Sequence, residues 1–235
     1  MEAVLTKAKL VNRYLDAKDF LIHRGFADEI DWQDATVDSD FCESDFLREG
    51  AWVILSSGMR EAVIARVFPA IGRAFRDWRS ATEIVEAEQE VFGAAFQLFG
   101  HRAKVNAMLA LAGEVSASGF DSVKHRVKSE GADYLHTFAF IGPVTSLHLA
   151  KNLGVDIAKP DRHLVRIAKT AGYLDAQVLC ETISDVTGDR VSVVDIVWWR
   201  FATLVPRYLD WLLDLDSKTM APIFDLDPEN VTVSA

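Results

Sequence analysis

Tyr134-Leu135-His136-Thr137-Phe138-Ala139-Phe140-Ile141-Gly142-Pro143-Val144-Thr145-Ser146-Leu147-His148-Leu149-Ala150, followed by Gly154 and then by Lys159-Pro160-Asp161-Arg162-His163-Leu164-Val165-Arg166, is the most informative stretch of the chain. It reads as two short helices around a hairpin that contains Gly142. Glycine allows a tight turn and close approach of another chain. Pro143 suits the first position of the second helix, because its missing N–H falls where no intrahelical bond is made. The free N–H groups at that helix start can cradle a phosphate. Helical spacing from Thr145 runs to Leu153 and stops at Gly154, and a further helix opens at Asp161 behind Pro160.

Outward from this hairpin the same period recurs, and no strand alternation holds over six residues. Helices are expected at about 6–23, 46–57, 60–77, 82–90, 103–115, 120–128 and 131–138 before the hairpin. After it they are expected at 161–170, 177–187 and 193–213, the last interrupted near Pro206. Residues 27–43 read as an acidic loop, and the tail from Asp214, with Pro222 and Pro228, as extended or frayed. The expected class is all-α, with ten or so helices in two lobes and a cleft between them. The division expected is 1–45, an N-terminal helix and acidic loop packing on the second lobe; 46–154, a helical lobe ending in the hairpin at about 131–154; and 155–235, a second helical lobe.

Composition narrows the class. The chain has 235 residues, half of them apolar and 26% charged, with 13 Gly, 6 Pro and 2 Cys, which excludes collagen-like, disordered and disulfide-framework proteins. Cys42 and Cys180 are too few for a zinc ribbon or a four-cysteine iron–sulfur loop, and a reducing, cytoplasmic setting is expected. No apolar run reaches the roughly 20 residues of a membrane span, and the N-terminus lacks a long apolar segment. The net charge of −10 argues against a polyanionic partner when taken as one number. Its distribution points the other way. Residues 28–49 carry net −8 and residues from Asp210 onward net −5, whereas 123–169 carries net +4, so a basic surface on an acidic protein is expected.

The combination of hairpin and Asp161 resembles the helix-hairpin-helix (HhH-GPD) DNA glycosylases. Their pattern is a Leu-Pro-Gly-Val/Ile-Gly-x-x-Thr-Ala hairpin, then an Asp opening a new helix. Ile141-Gly142-Pro143-Val144-Thr145 is similar to the second half of that hairpin, and Asp161-Arg162-His163-Leu164-Val165-Arg166 to the Asp-x-His-x-x-Arg element. Upstream, Ile54-Leu55-Ser56-Ser57 resembles the helix end that approaches the lesion, and Phe99-Gly100-His101-Arg102-Ala103-Lys104 a Gly-Tyr/Phe-x-x-Lys-Ala element. The likeness covers about 46–170, and Asp195-Ile196-Val197-Trp198-Trp199 fits a returning helix beside the same cleft.

The resemblance implies a DNA N-glycosylase of the base-excision-repair type, acting as a monomer on double-stranded DNA by flipping a damaged or modified base. Cleavage of the N-glycosidic bond builds positive charge on the sugar, so a carboxylate facing it stabilises the transition state and orients water. Asp161 has that role by resemblance; read by itself, it is an ordinary helix cap. Bifunctional members carry a lysine two positions after the hairpin glycine, where this chain has Val144. An apolar side chain forms no Schiff base, so a monofunctional enzyme using water is expected, with Lys104 or Lys151 standing in only if folded into the cleft. Expected DNA contacts are Gly142, Val144, Thr145, Arg162, His163 and Lys104. Expected pocket or wedge residues are Trp52, Ser56, Met59, Arg60, Trp198 and Trp199.

Three departures matter. Phe140 replaces the first hairpin glycine; Gly58 stands where one branch has a stack-filling Gln, so Met59 or Arg60 must serve; and no iron–sulfur cluster is expected. The resemblance also implies a potassium or sodium ion at the carbonyls of Phe138 and Ile141 and no other cofactor, since His136, His148 and His163 lack metal-ligand spacing. Two alternatives remain open: a DNA-binding module that lost the chemistry, and a helical protein-interaction domain whose hairpin is incidental.

Overall fold

The structure is a computed structural model that describes residues 5–213. Among these residues it is all-α, with fourteen α-helices, one 3-10 turn and no strand. No described helix is long and apolar enough to cross a membrane. The described residues divide into two compact units: one comprises those within 1–35 and 156–235, the other residues 36–155.

The discontinuous unit contains α1 (Lys7–His23), most of α2 (Ala27–Asp38), α11 (Arg162–Ala171), α12 (Ala176–Thr187), α13 (Val191–Leu204) and α14 (Tyr208–Leu213). Helix α13 is apolar almost all round, as a central helix must be, and α1, α11 and α12 pack on it. Trp198 lies at its middle, its ring 6.1 Å from Tyr14 and 6.4 Å from both Phe201 and Trp211. Helix α11 is sharply two-faced: Leu164, Ile167, Ala168 and Ala171 are buried, while Arg162, Arg166 and Lys169 face outward. At the edge of this core the buried Tyr14 Oη donates to Asp189 (2.6 Å), which also accepts from Lys18 Nζ at 2.7 Å. Burial, then this carboxylate, pushes the phenol far above its ordinary value.

The continuous unit runs α3 (Glu43–Ser56), α4 (Glu61–Ala74), a 3-10 turn (Arg76–Trp78), α5 (Ala81–Glu86), α6 (Glu88–Phe99), α7 (Arg102–Ser118), α8 (Phe120–Glu130), α9 (Ala132–Leu135) and α10 (Pro143–Asn152). Helix α3 is the hub, touching α4, α7 and α10. Arg76, Asp77 and Trp78 all have left-handed backbone (φ 57°, 53° and 60°), a conformation unfavourable for side-chain-bearing residues. Trp78 holds the turn in place by stacking on Phe75, with ring centres 4.9 Å apart.

Several sequence expectations are corrected. The acidic stretch at 27–43 is not a loop; most of it is α2, whose first-turn Asp28 and Glu29 suit the positive end of the helix dipole. Ile30, Gln33 and Thr36 are buried at three-residue spacing. The charge is offset over long range, because Arg200 grips Glu29 through two bonds of 2.7 Å and Arg190 lies 3.4 Å from Asp34. The first division therefore falls inside α2, between residues 35 and 36, rather than at 45/46, and the second at 155/156. The helix expected at 82–90 breaks at Ala87 into α5 and α6, and that at 131–138 is the short α9 followed by turns. The interruption near Pro206 separates α13 from α14. The tail from Asp214 lies outside the described residues.

Glu49 of α3 is a buried carboxylate that reaches the helix after the hairpin, accepting from Asn152 Nδ2 (2.9 Å) and Arg48 Nε (3.1 Å). Burial, partly countered by Arg48 and Asn152, pushes its pKa upward. The folded state then holds this proton more tightly than the unfolded chain does. From the ordinary glutamate range up to the raised folded value, Glu49 therefore makes stability fall as pH rises. Glu49→Gln keeps an oxygen for Asn152 and removes the charge. Urea melts from pH 4.5 to 7.5 should show a flatter pH dependence and undiminished stability at neutral pH; a variant with the wild-type slope would contradict this.

Candidate active site

Each unit carries one group of the expected site residues. In the continuous unit, α9 ends at Leu135 and the chain reverses through residues 136–142 into α10. Ile141 is buried, its N–H donating to Phe138 O at 3.1 Å, and the Phe138 ring packs edge-on against Tyr134 (5.3 Å) and Phe46 (6.1 Å). Phe140 takes a left-handed backbone, φ 66°, where glycine would be unstrained. Its ring is 40% exposed, edge-on to His101 at 6.0 Å, with Lys104 Nζ 6.0 Å from the ring centre.

Pro143 opens α10 as its first residue. The Gly142 N–H, expected to face a phosphate, instead donates to Thr145 Oγ1 at 2.6 Å, and Thr145 Oγ1 in turn donates to Gly142 O at 3.1 Å. This local closure corrects the roles of Gly142 and of the Thr145 hydroxyl. The helix-start N–H groups of Val144 and Thr145 have no partner among the described residues, and the Val144 side chain is 41% exposed.

Lys104 is a second correction. It is buried, and its Nζ donates to the carbonyls of Leu55 and Ser57, each at 2.6 Å. It thus closes the C-terminal end of α3 with a positive charge and joins that end to the hairpin ring of Phe140. Burial lowers its pKa. A lysine so engaged is neither an exposed DNA contact nor a free nucleophile, and Lys151 is buried too. Beyond the capped end, Gly58 turns left-handed (φ 71°) and presents Met59 and Arg60 to solvent, with Ser56 half-buried behind them. Trp52 packs edge-on against Phe68 (5.1 Å), as part of the helical packing. The end of α3, the start of α7 and the hairpin therefore form one surface of this unit.

In the discontinuous unit, Asp161 caps α11. One oxygen, Oδ1, accepts from both His163 N (2.8 Å) and Leu164 N (2.9 Å). The other, Oδ2, has no partner among the described residues, and the side chain is half-buried. A carboxylate held by one oxygen and open at the other can orient a water or face a cation. His163 Nδ1 lies 3.2 Å from Tyr208 Oη, and burial, more than any neighbouring charge, lowers its pKa. Arg162 is exposed beside it, its Nε 3.2 Å from His163 Nε2. Trp198, expected in a base pocket, is core instead, only 1% exposed. Trp199 is half-buried and packs against the same core, beneath the Arg200 guanidinium at 4.5 Å.

Sequence reasoning missed the side chains that hold the Asp161 loop. Gln177 Oε1 accepts from Ala158 N (2.8 Å), the buried Asp195 accepts from Lys159 N, and Asp156 accepts from Ser192 N (2.9 Å). The available signal was Asp195 itself, a lone acid in the run Val193-Val194-Asp195-Ile196-Val197.

No protein-family model and no curated protein matches the chain. Among solved structures, the Methanocaldococcus jannaschii 8-oxoguanine glycosylase/lyase, crystallised with a 15-mer DNA containing 8-oxoguanine, is similar with a TM-score of 0.54 and 17% identity. The similarity covers 83% of this chain and 98% of that one. Near-complete coverage of the other protein, at so low an identity, establishes a shared fold: this chain has the all-α fold of that glycosylase/lyase.

Proposed function

We propose that this protein is a DNA N-glycosylase that removes a damaged or modified base with water as the nucleophile. The observation that carries the reading is Asp161, whose Oδ1 is fixed by two backbone N–H groups while Oδ2 is left open. In this reading Oδ2 faces the sugar, stabilising the cationic transition state and orienting water. The free N–H groups of Val144 and Thr145 bind a backbone phosphate of double-stranded DNA, and exposed Arg162 adds a charge contact. A monovalent cation at the carbonyls of Phe138 and Ile141 belongs to the same reading; Phe138 O keeps one lone pair after accepting from Ile141 N. The M. jannaschii protein makes an oxidised purine one candidate substrate. Val144 at the lysine position, with Lys104 engaged and Lys151 buried, supports hydrolysis without strand cleavage.

The test is mass spectrometry of free bases released from duplex oligonucleotides carrying oxidised, alkylated, deaminated and otherwise modified bases. Release is expected to leave a strand that is intact until treated with alkali, and borohydride should trap no protein–DNA adduct. A trapped adduct would overturn the water mechanism. A second reading, a DNA-binding module without chemistry, is favoured by Phe140 in the hairpin and by the self-closed Gly142. It predicts salt-sensitive duplex binding, with no base release from any member of the panel.

A further inference from the structure

We infer that Asp195, with Gln177 beside it, is a positioning residue for Asp161: by holding the loop at 156–161 it sets where the open carboxylate oxygen lies. The inference rests on the reading of Asp161 as the carboxylate that faces the sugar. The loop joins residue 156 to α11 without regular structure of its own. Pro160 has no N–H, and Asp161 N donates to Lys159 O at 2.7 Å, closing a three-residue turn around the proline. Lys159 and Asp161 therefore move as one piece. The loop is held from α12 by Gln177, which accepts from Ala158 N, and from α13 by Asp195, which accepts from Lys159 N. A third bond runs the other way, from Ser192 N at the start of α13 to Asp156 Oδ1.

Stability alone does not account for Asp195. It lies inside an apolar helix, where Asp is a poor helix former, and it is only 2% exposed, where a carboxylate loses its hydration. Its bond to Lys159 N is a charge-assisted one, the strong kind, made two residues from Asp161. Reacting groups must be held within a fraction of an ångström of the productive position, and a loop reaches that precision only when its backbone is braced by packed helices.

The test needs no knowledge of the base. A 15-mer duplex carrying a cationic pyrrolidine in place of one deoxyribose mimics the charge of the transition state, and a neutral tetrahydrofuran duplex is its control. Wild type should bind the pyrrolidine duplex more tightly, and Asp161→Asn should erase that preference. Asp195→Leu should reduce the preference about tenfold or more, with tetrahydrofuran affinity unchanged, whereas Asp195→Asn, which keeps an acceptor oxygen, should retain it. Folding is checked by thermal melting. If Asp195→Leu does not fold, Gln177→Leu decides by the same ratio. A folded Asp195→Leu, or in its absence Gln177→Leu, with the wild-type preference would overturn the positioning role while leaving Asp161 in place. Absence of any preference in wild type, or its survival in Asp161→Asn, would overturn the reading of Asp161 and this inference with it.

Discussion

Asp161→Asn is expected to lower the single-turnover rate of base release by about a thousandfold while leaving duplex affinity and thermal stability near wild type. The two functions of this side chain are carried by different atoms, and this makes the substitution informative. Oδ1 caps α11 through His163 N and Leu164 N, and Asn serves as an N-cap about as well as Asp. Its amide oxygen keeps the Oδ1 bonds, so the helix start and the loop before it stay in place. The negative charge is what disappears, together with its interaction with the developing sugar cation. Asp161→Ala should lose the chemistry and about 1 kcal/mol of stability as well, because the cap goes with the charge. The measurement is base release under enzyme excess, on the panel substrate that wild type processes, paired with thermal melts of all three proteins. Retention of release within tenfold in Asp161→Asn would reduce Asp161 to a cap and place the chemistry of base release on another group.

Legibility in the sequence followed how local the physics was. The hairpin from Ile141 to Thr145 and the cap at Asp161 could be read directly, since Gly, Pro and a capping Asp restrict the backbone within a few residues. The same locality explains the failures. Residues 27–43 looked like a loop because seven acids obscure the spacing of Ile30, Gln33 and Thr36, and because the arginine that holds Glu29 is 171 residues away. Lys104 looked like a DNA contact because its true acceptors, the carbonyls of Leu55 and Ser57, are backbone atoms that leave no trace in residue identity. Trp198 and Trp199 are adjacent, and only tertiary packing decides that the first is fully buried and the second only partly. Phe140 was legible as a misfit, but its escape into a left-handed turn under His101 and Lys104 depends on α7, some forty residues earlier in the chain. The candidate site thus shows in sequence as its two anchor points, and what holds them is nonlocal.

Gly154→Ala is expected to destabilise the protein by about 3 kcal/mol, lowering the melting temperature by roughly 6 to 12 °C. Gly154 follows α10 with φ 92°, a backbone conformation that L side chains rarely adopt, and adding a Cβ strains it regardless of space. Space is lacking as well. The added carbon would lie 2.6 Å from the carbonyl oxygen of Thr36 and 3.6 Å from that of Val37. These obstacles are backbone atoms, so no rotamer change clears them, and either the end of α2 or the exit from α10 must shift. Gly100 is the internal control. It ends α6 with a similar φ of 69°, but a Cβ there would meet nothing within 4 Å, so Gly100→Ala should show the conformational penalty alone, about 1 kcal/mol. The difference between the two variants in urea melts isolates the steric term. Equal losses would mean that the Thr36 carbonyl does not approach Gly154 so closely, and that the end of α10 is free to adjust. A larger loss at Gly154 would mean that the helix presenting the free N–H groups of Val144 and Thr145 is fixed at its far end by backbone contact, which rigid presentation of a phosphate site requires.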